Sequence, residues 1–138
     1  MPGMREINPS VIAEYRATGG KLSGPMAGLP VLLLTTTGRR SGKSHVTPLG
    51  FATDGDRLIV AAANGGAASD PDWFRNLVTA PEVVVELGAE RFNATAVVVA
   101  GHDRNRLFEQ LASALPGMAE YPQTSGRTIP VIALTRDV

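Results

Sequence analysis

Apolar residues along the chain fall into short runs separated by glycine, proline and polar residues, a pattern typical of a small antiparallel β protein. Six runs have the length and the β-branched content of strands, and they predict strands over residues 30–36, 46–53, 57–63, 83–87, 91–99 and 129–134. Short loops join the first three, which predicts an antiparallel meander. Residues 54–56 read Asp-Gly-Asp, and they predict a tight hairpin turn because Asp-Gly readily adopts positive φ.

Three other segments repeat their apolar residues at helical spacing and predict helices over 9–18, 71–78 and 103–115. Asn8 and Asp70 are N-cap candidates for the first two, and each is followed by a proline at the first helical position. Strand–helix–strand alternation is absent from this order of elements. A doubly wound nucleotide-binding fold is therefore disfavoured.

This order of elements favours the α+β class, mainly β. We expect a six-stranded antiparallel barrel with helices packed outside, because closing a sheet removes its exposed edges. The chain is long enough to bury a core of its own. We therefore expect a single domain over residues 1–138, with an N-terminal helix and loop segment over residues 1–28.

Composition excludes several classes of function. The formal net charge is zero, from 13 basic and 13 acidic residues, whereas a nucleic-acid-binding domain is usually basic. Cysteine is absent, and His45 and His102 are the only histidines, so we expect no disulfide, no thiol chemistry and no metal site. The N-terminus lacks the apolar core of a signal peptide, and no run has membrane-spanning length. These features predict a cytoplasmic protein.

Basic residues concentrate in one loop, at 38–45. Arg39, Arg40, Lys43 and His45 lie within seven residues, and two glycines, Gly38 and Gly42, free the backbone of the loop. Guanidinium groups and exposed N–H groups bind anions together, so the loop suits a phosphate. The alternative interpretation is a solvated hairpin tip, where such residues are also common.

The same loop superficially resembles a P-loop, which requires four residues between its two glycines and then a helix. Here only three residues separate Gly38 from Gly42, and the β-branched segment 45–49 with its proline predicts a strand. Kinase or NTPase chemistry is therefore rejected.

A series of motifs resembles the deazaflavin-dependent nitroreductase family, which is actinobacterial and especially mycobacterial. The motifs keep their order and nearly their spacing, and they lie at residues 34–42, 47–49, 54–56, 60–67, 71–77 and 127–131. The resemblance implies a split β-barrel related to the FMN-binding pyridoxamine-phosphate oxidases. It also implies the coenzyme F420, a deazaflavin hydride carrier with a phosphate and an oligoglutamate tail.

The resemblance further implies cofactor-binding residues in four segments. The cationic loop would hold the phosphate and the carboxylates, the next strand and a run of small residues would flank the ring, and a helix would supply the remaining contacts. The implied residues are Arg39, Arg40, Ser41, Lys43, His45, Val46, Thr47, Pro48, Leu49, Gly50, Ala61, Ala62, Ala63, Asn64, Asp72, Trp73 and Asn76. From the residues alone, Trp73 is a core side chain, and Asp72 complements the helix dipole.

The substrate side departs from the family pattern. Gly50, Leu115 and Met118 stand where the best-known members carry tyrosines, and Tyr121 remains. This implies a wider, more apolar substrate pocket, lined by these residues and Met26. Helix-end packing is the alternative for Leu115 and Met118. The proton for catalysis would come from water or from Tyr121.

The resulting hypothesis is an F420-dependent reductase that passes hydride to an enone, a quinone or a nitroaromatic compound. The cofactor carries the chemistry, so the protein supplies position and dry surroundings. Two alternatives stay open: an FMN-dependent flavin reductase or oxidase on the same barrel, and a non-catalytic F420-binding protein. We expect a monomer or a homodimer.

Overall fold

A computed structural model describes residues 4–63, 69–115, 117–120, 126 and 128–137. Its sheet contains seven strands: β1 (Val31–Thr37), β2 (Ser44–Gly50), β3 (Ala52–Asp54), β4 (Arg57–Ala61), β5 (Glu82–Leu87), β6 (Glu90–Val99) and β7 (Val131–Arg136). The α-helices are α1 (Met4–Thr18), α2 (Asp72–Thr79) and α3 (Gly101–Ala114), and short 3₁₀ turns lie at Gly24–Met26 and Met118–Glu120.

One bent run of chain connects the two edges of this sheet. The strand order is β2-β1-β5-β6-β7-β4-β3, and every neighbouring pair is antiparallel. The two edge strands, β2 and β3, are consecutive in the chain and are separated only by Phe51. The Phe51 N–H donates to the Pro30 carbonyl at 3.1 Å, next to the last β1–β2 pair. After Phe51 the chain continues as β3, the other edge strand.

The break at Phe51 corrects the predicted strand count. The single strand predicted over 46–53 is divided there, so the barrel has seven strands rather than six. Both antiparallel pairings of the predicted meander are present, since β2 pairs with β1 and β3 pairs with β4. The bend places these two pairs at opposite ends of the strand order, because a straight strand cannot belong to both edges of one sheet.

The connections define two ends of the barrel. The loop 38–43 joins β1 to β2, and we call its end the upper end. The turn at Gly55 (φ 62°) joins β3 to β4, as predicted, and the turn at Gly88 (φ 61°) joins β5 to β6. Because neighbouring strands alternate in direction, these two turns lie together at the opposite, lower end.

The strands bury residues on both faces because helices cover much of the outside. Leu32 and Leu34 of β1 point into the barrel, whereas Val31 and Leu33 pack outward with Tyr15 of α1. On the opposite side, α3 covers the outer face of β4 and β7. Leu107 and Leu111 of α3 pack there in one cluster with Ile59 of β4 and Val131 of β7. Helix α2 adds Trp73 and Leu77 to the barrel interior and so closes the upper end.

A buried phenol fixes α1 to the barrel. The Tyr15 hydroxyl donates to the Val31 carbonyl at 2.9 Å and accepts from the Gly88 N–H at 2.8 Å. Burial raises the pKa of Tyr15 above its usual value, so the hydroxyl keeps its proton and remains a donor at neutral pH. On the surface, the Arg16 guanidinium binds the Glu86 carboxylate through two hydrogen bonds of 2.9 Å.

Two predicted helix starts are wrong. Helix α1 begins at Met4, with Pro9 inside it, so Asn8 is not its N-cap. Pro9 removes one N–H donor from the helix, and the helix continues through it. Helix α2 begins at Asp72, and its N-cap is Pro71, whose carbonyl accepts from the Phe74 N–H at 3.1 Å.

An ion-pair network clamps the β3–β4 hairpin to α3. The Asp54 carboxylate accepts from Arg106 at 3.0 Å and also pairs with Arg57. Arg106 in turn donates to Asp103 at 2.6 Å. The hydrogen bond from Arg106, followed by the one from Arg57, lowers the pKa of Asp54 to about 2.

We expect this clamp to make stability fall with acid. The lowered pKa of Asp54 stabilises the fold fully above the unfolded-state value of roughly 3.9, and the contribution disappears as pH falls toward 2. In urea unfolding, Asp54→Asn should therefore destabilise the protein at pH 6 by roughly twice as much as at pH 3. Asp56→Asn, on the same hairpin, is the matched control. An equal cost of Asp54→Asn at both pH values would contradict this account.

Candidate functional site

The cationic loop is a compact hairpin connection. The Gly38 N–H donates to the Lys43 carbonyl at 2.8 Å, and the Gly42 N–H donates to the Gly38 carbonyl at 2.9 Å. Gly42 has φ of 70°, where a side chain would be strained. The loop joins two antiparallel strands, Thr37 lying opposite Ser44, and no helix follows it. This confirms the strand context on which the P-loop interpretation was rejected.

The first glycine of the loop is closely approached by two side chains. A Cβ atom at Gly38 would lie 2.7 Å from the Ser41 Oγ and 2.8 Å from the His45 Nε2. The Ser41 hydroxyl and the His45 imidazole therefore pack directly over Gly38, side by side. From the sequence, Gly38 was expected to free the backbone of the loop. The close approach of the Ser41 and His45 side chains was not predicted.

A buried amide joins the loop to the barrel and to α2. Asn76 is 4% exposed. Its Oδ1 accepts from the backbone N–H of Arg39 at 3.2 Å and from the Arg39 guanidinium at 2.9 Å. Its Nδ2 donates to the Thr36 hydroxyl at 3.4 Å. Asn76 was predicted to contact a ligand, but its hold on Arg39 and the part played by Thr36 were not predicted.

The charges around this amide are uneven. The Arg39 guanidinium lies 3.4 Å from the Asp72 carboxylate at the start of α2, so its charge is partly compensated. Arg40 and Lys43 are exposed and form no ion pair within the part of the chain that the structure describes. These two side chains therefore supply most of the uncompensated positive potential of the loop, and such a potential attracts anions.

A cavity of about 530 Å³ opens between the loop and α2. Cationic and polar groups form one side of it, and Trp73 and Val46 add apolar surface. Its full lining is Gly38, Arg39, Arg40, Ser41, His45, Val46, Thr47, Asp72, Trp73 and Asn76. Trp73 is 7% exposed and also belongs to the barrel interior, so it is both a core residue and a wall of the cavity.

The remaining predicted cofactor residues do not line this cavity. Lys43 is exposed on the loop, and Pro48 is buried within β2. The other side chains belong to the packed clusters or lie beside them. Leu49 and Ala62 face the barrel interior, and Ala61 and Ala63 pack in the cluster beneath α3. Asn64 and Tyr121 lie outside the described residues.

The residues predicted for the substrate pocket separate into two groups. Leu115 and Met118 are buried in the cluster beneath α3, whereas Met26 packs beside the Tyr15 cluster near α1. A Cβ atom at Gly50 would lie 2.7 Å from the Leu115 Cδ2. Leu115 thus occupies the space next to Gly50 that the sequence had suggested would be open.

Within the described ranges, no group of three or more His, Asp or Glu side chains could hold a metal ion. Among the helices described, none is long and apolar enough to span a membrane.

Known proteins resemble this chain over most of its length. The model of the F420H(2)-dependent quinone reductase family matches residues 8–136. An F420H(2)-dependent quinone reductase of Mycobacterium tuberculosis is 36% identical over 128 residues, which cover 90% of this chain and 86% of the relative. The solved structure of an F420-H2 dependent reductase is 32% identical, with a TM-score of 0.71 over 76% of this chain and 93% of that one.

A more distant structure identifies the type of barrel. A pyridoxamine 5'-phosphate oxidase-type protein of Listeria innocua has a TM-score of 0.56 at 17% identity, over 79% of this chain and 85% of that one. At this identity the likeness concerns the fold alone. The predicted split β-barrel is thereby confirmed, with seven strands in place of six.

We expect Gly50 and Leu115 to be energetically coupled. Gly50→Ala should destabilise the protein by about 1–3 kcal/mol, since the added methyl group overlaps the Leu115 side chain. Leu115→Ala removes the overlapping atoms, so the double variant should be more stable than the sum of the single changes predicts. Urea unfolding of the four proteins measures the coupling. Strict additivity would mean that the two residues do not compete for this space.

We also expect Asn76 to hold the loop in place. Asn76→Ala leaves the Arg39 N–H without its partner and should cost about 1–3 kcal/mol of unfolding free energy. Amide hydrogen exchange should accelerate at Arg39 more than at Leu77, which lies on the same helix and is fully buried. Thr79→Ala, at the exposed end of α2, is the matched control. Unchanged exchange at Arg39 in Asn76→Ala would contradict the role of the amide.

Proposed function

The chain belongs to the F420H(2)-dependent quinone reductase family, and from this premise we propose that it is an F420-dependent reductase whose acceptor is a small quinone. The observation that carries the proposal is the cavity between the loop and α2. It combines cationic groups with apolar surface in one concave space, and F420 combines anionic groups with a flat ring.

We propose that the cationic side of the cavity holds the phosphate and the oligoglutamate carboxylates. Arg40 and Ser41 offer a guanidinium and a hydroxyl at its rim, and Asn76 fixes the direction of Arg39. An arginine binds a phosphate or a carboxylate through two parallel hydrogen bonds. Lys43 lies outside the cavity lining, and from there it adds long-range attraction for the tail.

The other side of the cavity suits the ring. Val46 and Thr47 of β2 and the Trp73 side chain form it, and their apolar surface excludes water from one face of a planar ligand. Because Trp73 is packed into the barrel core, its indole cannot move without disturbing that core. The protein therefore presents a rigid wall, which fixes the orientation of whatever lies against it.

When bound, reduced F420 supplies a hydride, and together with one proton this hydride converts a quinone to its hydroquinone. The chain's own task is to bind, to orient and to exclude water. Tyr121, which lies outside the described residues, is proposed as the source of the proton. We propose that the protein is a monomer or a homodimer.

A quinone is the proposed acceptor because the relatives are named as quinone reductases. Enones and nitroaromatic compounds accept hydride by the same chemistry and are the next acceptors to test. Menadione is a suitable quinone probe, with reduced F420 as the donor and loss of its absorbance as the readout. Turnover with menadione supports the proposal, whereas binding of F420 without transfer to any of the three classes would indicate a non-catalytic F420-binding protein.

The cationic rim makes a quantitative prediction. Arg40→Ala should weaken F420 binding about tenfold or more, because a charge-assisted hydrogen bond is lost. Added salt should weaken F420 binding by the wild-type protein more than by the variant, since salt screens the charge of Arg40, which the variant lacks. F420 fluorescence measures both effects.

Arg75→Ala provides the matched control, because Arg75 is exposed on α2 but does not line the cavity. Equal affinities of the two variants would contradict the proposed orientation of the anionic groups. Tight binding of FMN with no binding of F420 would replace the proposal by a flavin-dependent activity.

A further inference from the structure

A second cavity lies at the lower end of the barrel. Its volume is about 440 Å³, and it is lined by Asp56, Leu58, Leu87, Glu90, Phe92, Leu134, Thr135, Arg136 and Asp137. These residues come from the turns at Gly55 and Gly88 and from the end of β7. The length of the strands, roughly 3.3 Å per residue, separates this cavity from the one beside α2.

The floor of this lower cavity is apolar. Leu58 and Leu134 belong to the barrel interior and are buried, and Leu87 and Phe92 pack partly buried against the same cluster. Helix α2 closes the upper end of the barrel with Trp73. At the lower end, by contrast, the edge of the core forms the floor of a cavity open to solvent. An apolar ligand could cover the exposed parts of Leu87 and Phe92 and remove them from water.

The rim of the lower cavity is acidic. Asp56, Glu90 and Asp137 contribute carboxylates, and Arg136 contributes the only positive charge of the lining. Arg136 is already engaged: it donates to Glu90 at 3.1 Å, and its guanidinium lies 4.5 Å from the centre of the Phe92 ring.

Two of these carboxylates lack a cation. Asp137 accepts a hydrogen bond from the Thr95 hydroxyl at 2.8 Å, but neither it nor Asp56 forms an ion pair with any residue that the structure describes. The rim thus keeps about two uncompensated negative charges beside an apolar floor. An anionic ligand would meet these charges, and the single guanidinium that could attract it is neutralised by Glu90.

We propose that the lower cavity binds a small organic cation with an apolar body, a hydrophobic amine. The body would lie on the apolar floor and cover Leu87 and Phe92, and the ammonium group would lie near Asp56 and Asp137. This site is separate from the cavity assigned to F420, and it depends neither on that cofactor nor on the reductase activity.

The test compares three probes of one shape and different charge. 4-Phenylbutylamine is cationic, 4-phenylbutanol is neutral, and 4-phenylbutanoate is anionic at pH 7. Each is titrated into the full-length protein while the methyl signals of Leu58 and Leu134 are followed by NMR. The amine should bind about three- to tenfold more tightly than the alcohol, since each exposed ion pair contributes modestly, and the anion should bind most weakly.

Surface variants then test the charges without touching the core. Asp56→Asn combined with Asp137→Asn should bring the amine to the affinity of the alcohol, and Glu109→Gln on α3 should leave the order unchanged. Inorganic phosphate is a probe for the other cavity and should leave amine binding unchanged. Failure of the F420 proposal would therefore not affect this test.

Three results would overturn the proposal. The first is equal binding of the three probes, and the second is methyl shifts confined to the upper end of the barrel. The third is an absence of methyl shifts with all three probes.

Discussion

The candidate site depends on the hydrogen bonds of one buried amide. Asn76 lies at the junction of the barrel, α2 and the cationic loop, and its side chain bonds to Thr36 and Arg39. A buried amide without partners is costly, so both partners are constrained to stay where they are. Helix α2 is thereby fixed against the end of β1, and the loop is fixed against α2. The cavity is the space that this arrangement leaves.

The link between the two edge strands supports that arrangement. The chain passes from one edge of the sheet to the other at Phe51, so the two edges are held close together. Trp73 and Leu77 pack into the interior from α2, which ties the same helix to the core. The two ends of the barrel then differ in chemistry. The upper end carries buried polar contacts and cations, and the lower end exposes an apolar floor under an acidic rim.

Sequence patterns predicted the strands and the barrel because alternation and turn residues are local signals. The hairpin turn at Gly55 and the cationic loop were both located correctly. The break at Phe51 was not, since it arises from pairing with strands far away in the chain. The start of α1 before Pro9 was missed because a proline there is usually a start signal.

Only part of the site was predicted from the sequence, because motifs are local and several contacts of the site are not. The loop and the helix residues around the cavity were identified from motifs, and nine of them line it. Contacts made across the fold were not visible in the sequence: the crowding over Gly38, the hold of Asn76 on Arg39, and the filling of the space beside Gly50 by Leu115. These depend on distances between residues that are remote in the chain.

Mapping F420 onto the ¹⁵N-labelled protein by NMR tests the central claim most directly. The account predicts that amide signals of Arg39, Ser41, Val46 and Asn76 shift on titration, while those of Leu58 and Leu134 at the lower end stay unchanged. Shifts at the lower end with none in the loop or α2 would contradict it.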